Sequence, residues 1–322
     1  MKPEIVVTRL FYTPTLAELE RDFTVHKLWL AKDPGALLRD LSERVRVVVT
    51  SGLAGFSPAQ MDALPGLELI ASYGNPHSGL VDLAAAKARG VTVTNTPDSI
   101  TQTVADLALG IVIATMRRIT EGDRFVRAGR WLGGPLAPGR DLGGKTCGIV
   151  GLGRIGREIA RRVEVCGMSV CYHGPHRKDD VPYPYFPDLE AMAREVDCLV
   201  VMCPLTPATR DLVNPRVIDA LRPESFLVNI ARGPVVNQEA LIAALKEKRI
   251  AGAGLDVFWD EPRVPAELMM MDNVVLSPHL GSATLEIREE RGRKLLANLR
   301  AYFAGKPVLN PLKAHHGACL VS

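Results

Sequence analysis

The chain has 322 residues, 47% of them hydrophobic and 23% charged, with a formal net charge of +3. That length favours about two domains, and a charge so small and dispersed argues against a nucleic-acid partner. Leu107–Met116, the longest nearly uncharged stretch, is too short to span a bilayer, and Met1–Leu10 lacks the basic-then-apolar layout of a signal peptide; no membrane partner and a cytoplasmic location are expected. In chain order, the apolar, β-branched runs Ile5–Val7, Val45–Val49, Leu69–Ser72 and Val91–Thr94 predict parallel strands covered on both faces. Pro58–Leu64 and Val81–Arg89 predict helices between them, which makes a small α/β layer domain. Pro97-Asp98-Ser99 breaks the pattern, and Thr101–Arg118 follows as a long helix. Its apolar residues (Val104, Leu107, Ala108, Leu109, Ile111, Val112, Ile113, Met116) are not confined to one stripe. Such a helix is buried on most sides, here between domains and between subunits.

From Thr146 the alternation resumes. Strands are predicted at Cys147–Val150, Met168–Tyr172, Cys198–Met202, Phe226–Asn229, Gly252–Asp256 and Val274–Leu276, with Gln238–Glu247 the clearest intervening helix. Six strands joined by crossovers suit a doubly wound nucleotide-binding sheet. Thr284–Phe303 then reads as an amphipathic helix, with Ile287, Leu295, Leu296, Leu299 and Phe303 at helical spacing, stopped by Gly305-Lys306-Pro307. It is expected to return to the first domain, and His315–Cys319 to be a disordered polar tail rather than a metal site. The six cysteines (Cys147, Cys166, Cys171, Cys198, Cys203, Cys319) form no C-x-x-C pair. Reduced thiols are therefore expected, with no disulfide and no metal.

Val150-Gly151-Leu152-Gly153-Arg154-Ile155-Gly156 stands between a predicted strand and a predicted helix, Arg157–Val165. In that setting Gly151 permits a tight turn, Gly153 lets backbone approach a pyrophosphate, and Gly156 lets the helix pack on the strand. Dinucleotide binding is the reading, rather than an ordinary turn. The fold class is thus α/β with two doubly wound parallel-sheet domains. A Rossmann dinucleotide-binding domain, 99–283, is inserted into a smaller flavodoxin-like substrate domain made of 1–98 and 284–322.

Three polar residues stand just past strand ends of the second domain: Arg232 in Asn229-Ile230-Ala231-Arg232-Gly233, Glu261 in Asp260-Glu261-Pro262, and His279 in Ser277-Pro278-His279. Ligands of open α/β sheets bind at that edge. Taken singly, each residue has an ordinary reading: a solvated cation, a turn carboxylate and a structural histidine. Together, beside a dinucleotide motif, they read as a site.

These stretches, with Cys203-Pro204-Leu205-Thr206 and Gly254-Leu255-Asp256-Val257-Phe258, resemble the D-2-hydroxyacid dehydrogenase family, nearer its glyoxylate/hydroxypyruvate reductase branch. The resemblance covers nearly the whole chain. It implies Arg232, Glu261 and His279 as catalytic residues, and an enzyme that reduces a small 2-oxo acid to the D-2-hydroxy acid with a nicotinamide cofactor. Arg232 would grip the carboxylate and polarise the ketone. His279 would act as general acid, or as base in reverse. Glu261 would orient the imidazole and raise its pKa. Cofactor contacts are expected at Gly151, Gly153, Arg154, Ile155 and Gly156, at Cys203, Pro204 and Thr209, and at Ile230, Ala231, Arg232, Asp256, His279 and Gly281. Substrate contacts are expected at Tyr73, Gly74, Asn75, Arg232 and His279.

The turn after the second Rossmann strand points to the cofactor. It carries His173, His176, Arg177 and Lys178 and no acidic residue before Asp179. That suits the 2′-phosphate of NADP(H) better than the ribose hydroxyl of NAD(H), which remains the alternative. One departure from the family concerns Ser72–Asp82. Pro76 falls where a glycine amide would serve a substrate carboxylate, which leaves Asn75 and His77 to serve it or the substrate to differ. Rival readings are a dehydrogenase for a phosphorylated or bulkier 2-hydroxy acid, and a nucleotide-sensing protein without catalysis. The apolar helix further predicts a homodimer joined through the nucleotide domains across a two-fold axis.

Overall fold

A computed structural model describes residues 2–51, 54–74, 81–97 and 100–312. They form two compact units: 100–283 is one, and the residues before it together with those from 284 onward are the other. The first unit is a five-stranded sheet of β1 (Glu4–Val7), β2 (Thr24–Lys27), β3 (Val47–Ser51), β4 (Leu69–Tyr73) and β5 (Thr92–Thr94). All its strands are parallel, in the order β2-β1-β3-β4-β5, which is the flavodoxin order. Val6, Val48 and Ile70 face α2 (Pro34–Asp40), α3 (Pro58–Asp62) and α4 (Leu83–Ala88). Ile5, Val7, Val47 and Leu69 face α1 (Thr13–Asp22) and the last helix, where Leu295, Leu296 and Leu299 are buried. Those runs had no polar alternation because both faces are covered.

The second unit opens with α5 (Thr101–Met116) and α6 (Ile119–Arg127) and continues through β6 (Thr146–Val150), α7 (Arg154–Val165), β7 (Ser169–His173) and β8 (Tyr185–Phe186). Next come α8 (Leu189–Glu195), β9 (Cys198–Val201), α9 (Pro215–Ala220), β10 (Phe226–Asn229) and α10 (Gln238–Lys246). β11 (Gly252–Leu255), α11 (Ala266–Met269) and β12 (Val274–Leu276) complete it, and Leu285–Phe303 of the first unit is α12. The sheet is parallel throughout, in the order β12-β11-β10-β9-β6-β7-β8. The winding reverses between β6 and β9, the switch point of a Rossmann sheet. Among the described residues no helix is long and apolar enough to cross a membrane.

The structure adds elements that the pattern did not yield: α1, α2 and α6, and the edge strands β2 and β8. It also corrects the reading of the long helix. α5 stops at Met116, because Arg118 turns into the left-handed region (φ 57°) and clamps Glu121 with two hydrogen bonds of 2.8 and 2.7 Å. Nor is the helix covered all round. Val104, Ala105, Ala108, Ile111, Val112, Thr115 and Met116 are buried, whereas Gln102 and Asp106 are exposed and bonded to Arg162 at 2.6 and 2.7 Å. Its own unit supplies that cover, so the helix by itself does not call for a second subunit.

The five described cysteines are free thiols. Cys147 and Cys198 stand opposite each other on β6 and β9. The Cys147 thiol is held up by its hydrogen bond to Cys198 and by burial, and burial pushes Cys171 up to about 12. Cys319 and the tail lie outside the described residues.

Candidate active site

The glycine motif makes the tight turn and the close helix packing that its spacing implies. Gly151 has φ 100°, and a Cβ there would come within 2.8 Å of the Cys203 backbone, so the loops after β6 and β9 meet with no side chain between them. Gly151 N donates to His173 O at 2.9 Å and Met202 N to Val150 O at 2.8 Å. Gly153 is extended and caps α7. A Cβ on Gly156 would overlap the carbonyl oxygen of Gly151, so only glycine lets α7 sit directly on the loop. The helix N-terminus is thereby aimed at the switch point, the arrangement that binds a pyrophosphate. Arg154 is exposed and Ile155 half-buried beside it.

The turn after β7 is pinned from beneath. Tyr172 is 1% exposed, and its hydroxyl accepts from Lys178 N at 2.6 Å. Tyr185 donates its hydroxyl to Gly174 O at 3.0 Å. The His173 ring donates from Nδ1 to Phe186 O at 2.9 Å, which leaves only Nε2 for a ligand. His176 and Arg177 point outward and are exposed, with Lys178 half-buried. Asp180 is drawn away into a 2.8 Å pair with Arg157. The turn thus offers cations, with no carboxylate before Asp179, to whatever lies beyond β7.

On the other side of the switch point, Cys203 is nearly buried and burial pushes its thiol up to about 11. It is a neutral wall, not a nucleophile. Thr209 folds its hydroxyl back, donating to Pro204 O at 2.6 Å and accepting from Thr206 N at 2.7 Å. It shapes the Cys203–Pro204 loop from inside.

Asn229 closes β10 and governs the next turn. It is wholly buried; Oδ1 accepts from Ala231 N and Nδ2 donates to Arg232 O, both at 3.0 Å. Ile230 and Ala231 are buried by this turn and Arg232 is put outside it. The guanidinium donates to Ala231 O at 2.6 Å, and no carboxylate pairs with it among the described residues. Its remaining N–H groups form a fork suited to a carboxylate.

His279 and Glu261 meet across 18 residues: Nδ1 and Oε2 are 2.6 Å apart. The other carboxylate oxygen accepts from Phe258 N at 3.0 Å, so Glu261 is fixed at both ends and Nε2 of the ring is left outward. The side chain of His279 is 40% exposed. Its backbone lies in the left-handed region, φ 54°, and Asp256 explains why. That buried carboxylate accepts from the Ser277 hydroxyl, from Leu280 N at 2.7 Å and from Gly281 N at 3.0 Å, while its own carbonyl takes His279 N at 2.9 Å. Asp256 and Gly281, expected against the cofactor, are occupied in building this loop. Asn229 and Ser277 were not singled out by sequence reasoning. A lone asparagine ending an otherwise apolar strand was the available signal for the first.

Tyr73 and Gly74 belong to the first unit. The Tyr73 ring stacks on Phe11 with centroids 4.7 Å apart and its hydroxyl donates to Arg288 O at 2.8 Å. Gly74 N donates to Thr96 Oγ1 at 2.8 Å. Of the positions expected to serve a substrate, Tyr73 thus has its hydroxyl and Gly74 its amide bonded within the unit. Asn75, Pro76 and His77 lie outside the described residues.

Residues 109–281 match the family model described as "D-isomer specific 2-hydroxyacid dehydrogenase, NAD binding domain". The glyoxylate/hydroxypyruvate reductase A HPR2 of Arabidopsis thaliana is 43% identical over 297 residues, covering 92% of this chain and 94% of that protein. The solved 2-hydroxyacid dehydrogenase of Ketogulonicigenium vulgare Y25 superposes with a TM-score of 0.89 at 40% identity, over 98% of this chain and 100% of the other. The NADPH-dependent glyoxylate/hydroxypyruvate reductase of Sinorhizobium meliloti, solved with NADP and malonate, gives a TM-score of 0.80 at 38% identity, over 97% of each chain.

Proposed function

The chain belongs to the D-2-hydroxyacid dehydrogenase family, and from that premise we propose that it reduces a small 2-oxo acid of the glyoxylate or hydroxypyruvate type to the D-2-hydroxy acid, with NADPH as the preferred reductant. One observation carries the reading: the Glu261–His279 pair of 2.6 Å leaves an outward imidazole nitrogen on the same sheet edge as the unpaired Arg232 and the glycine loop. A sensor of nucleotide alone has no use for such a pair.

Bound cofactor supplies the hydride that reduces the ketone carbon. The Gly151–Gly156 loop and the α7 N-terminus would hold its pyrophosphate, and Arg177, Lys178 and His176 would supply charge to a 2′-phosphate. Arg232 takes the substrate carboxylate in its fork and lends positive charge to the ketone oxygen as that oxygen gains electron density. His279, protonated, delivers its Nε2 proton to the oxygen; in the reverse direction neutral His279 removes the hydroxyl proton. Glu261 accepts from Nδ1 and so selects both ring orientation and tautomer. In this reading 100–283 is the nucleotide domain and the other unit the substrate domain.

The S. meliloti relative, described as NADPH-dependent, supports the choice of cofactor, as does the cationic turn. The free thiols support a cytoplasmic location. We further infer a homodimer, joined around α6 and the short 3₁₀ turn Arg130–Gly133, where Ile119, Val126, Trp131 and Leu132 are exposed. The test is a panel of glyoxylate, hydroxypyruvate, pyruvate and phenylpyruvate with NADPH and NADH, followed by loss of reduced-nicotinamide absorbance. Turnover with the small acids and preference for NADPH are expected. An inert protein across the panel would return the sensor reading.

A further inference from the structure

Two of the three loops described above are laced together by a residue outside the trio. Trp259 stands between Phe258, whose amide binds Glu261, and the short run that leads to Glu261 itself. Its indole N–H donates to Val236 O at 2.7 Å. Val236 ends the 3₁₀ turn Gly233–Val235 that begins directly after Arg232. It is held in turn by its own N–H to Gly233 O at 3.1 Å and by a parallel bridge to Val213. The second point of contact is Gly233, where a Cβ would overlap the Phe258 carbonyl group and crowd Trp259 N. The Arg232 loop and the Glu261 loop therefore touch backbone to backbone at one end and are tied by the Trp259 N–H at the other. The ring is half-buried and packs against the core cluster containing Val235, Val236 and Leu268.

We propose that Trp259 is a positioning residue, setting the distance between the carboxylate-gripping Arg232 and the imidazole that Glu261 orients. The inference rests on the function proposed above. A 2-oxo acid spans both groups at once, its carboxylate on one and its ketone oxygen on the other. The separation of the two loops is thus a direct determinant of whether one bound substrate satisfies both. A misplacement of about 1 Å at such a pair costs up to about 10²-fold in rate.

The experiment is Trp259→Phe, which keeps an aromatic ring in the core and removes the N–H. Expected are a raised KM for the 2-oxo acid and a lowered kcat, together a loss in kcat/KM between about threefold and 10²-fold. The KM for NADPH should stay within about twofold of the parent's, because the glycine loop and the turn after β7 are not touched. Val217→Ala, which loosens the same core cluster on α9, controls for general destabilisation and should lower Tm without that split. Trp259→Leu, read in the same way, serves if the first variant does not fold. Unchanged substrate KM and kcat in Trp259→Phe, or a loss spread equally over substrate and NADPH as the control would give, overturns the inference. A parent protein inert toward every 2-oxo acid sinks the functional reading instead, so the two failures are told apart by the parent's own activity.

Discussion

His279 occupies a backbone conformation, φ 54°, that non-glycine residues seldom adopt. The strain is offset by Asp256, whose carboxylate gathers the loop around it. Holding a proton donor this way fixes its direction before substrate arrives, which is how a positioned acid gains its effect. His279→Ala should leave NADPH binding nearly intact and lower turnover by about 10²- to 10⁴-fold. Steady-state rates on the preferred acid decide it, and a variant keeping more than about half of parental turnover removes His279 from the mechanism. Arg177 poses the complementary question for the cofactor. It is exposed and makes no hydrogen bond or ion pair among the described residues, so a 2′-phosphate would meet an uncommitted guanidinium. A charge-assisted contact of about 1.5–3 kcal/mol corresponds to roughly 10- to 150-fold in affinity. Arg177→Ala should weaken NADPH by about that factor, leave NADH almost unchanged, and show a smaller gap at high salt. Titration of both cofactors measures it; equal affinities in the parent would defeat the assignment.

Among the elements, α5 and α7 show how small residues decide where a helix lies. α7 can seat on the phosphate loop only because position 156 has no side chain. α5 lies on β11 for the same reason: a Cβ on Gly254 would collide with Ile111 and stand 2.6 Å from Thr115 Oγ1. That hydroxyl is already turned inward, donating to Ile111 O at 2.7 Å, so it has little room to yield. Gly254→Ala should therefore cost about 1–3 kcal/mol, the usual penalty of overpacking, at roughly 2–4 °C of Tm per kcal/mol for a domain of this size. A thermal melt tests this, and an unshifted midpoint would mean that α5 lifts without cost.

For the whole molecule, the chain leaves its first unit after β5, builds the second, and returns with α12. That helix is anchored by more than apolar burial. Arg300 pairs with Asp22 at 2.6 Å and Tyr302 donates to Glu68 at 2.6 Å. The buried Asn298 accepts from Leu309 N and Asn310 N, at 2.9 and 3.0 Å. The inferred dimer belongs to the same scale. Leu132 is 97% exposed and Trp131 67%, and these two large apolar side chains, adjacent in a tight turn, are the surface proposed for that contact. Leu132→Asp should convert the dimer to a monomer in sedimentation. A parent of 35.0 kDa at every concentration would refute the dimer itself.

The sequence alone determined the two parallel sheets, the glycine loop and the three strand-end residues. Each of these is a local signal: an apolar β-branched run, glycines at a fixed spacing, a polar residue just past a strand. It did not yield β2, whose Thr24-Val25-His26-Lys27 is half-exposed at a sheet edge and lacks the covered-strand pattern, or the two-residue β8. It carried α5 on to Arg118 and did not yield α6, because the left-handed turn at Arg118 depends on a side-chain clamp to Glu121. That Glu261 meets His279 was implied only by the family resemblance; the tertiary structure supplies the contact itself, 2.6 Å across 18 residues. It also decided that Asp256 serves the loop and that the Tyr73 phenol is already engaged. Which way a side chain points is set by neighbours far along the chain, and composition and periodicity carry no record of them.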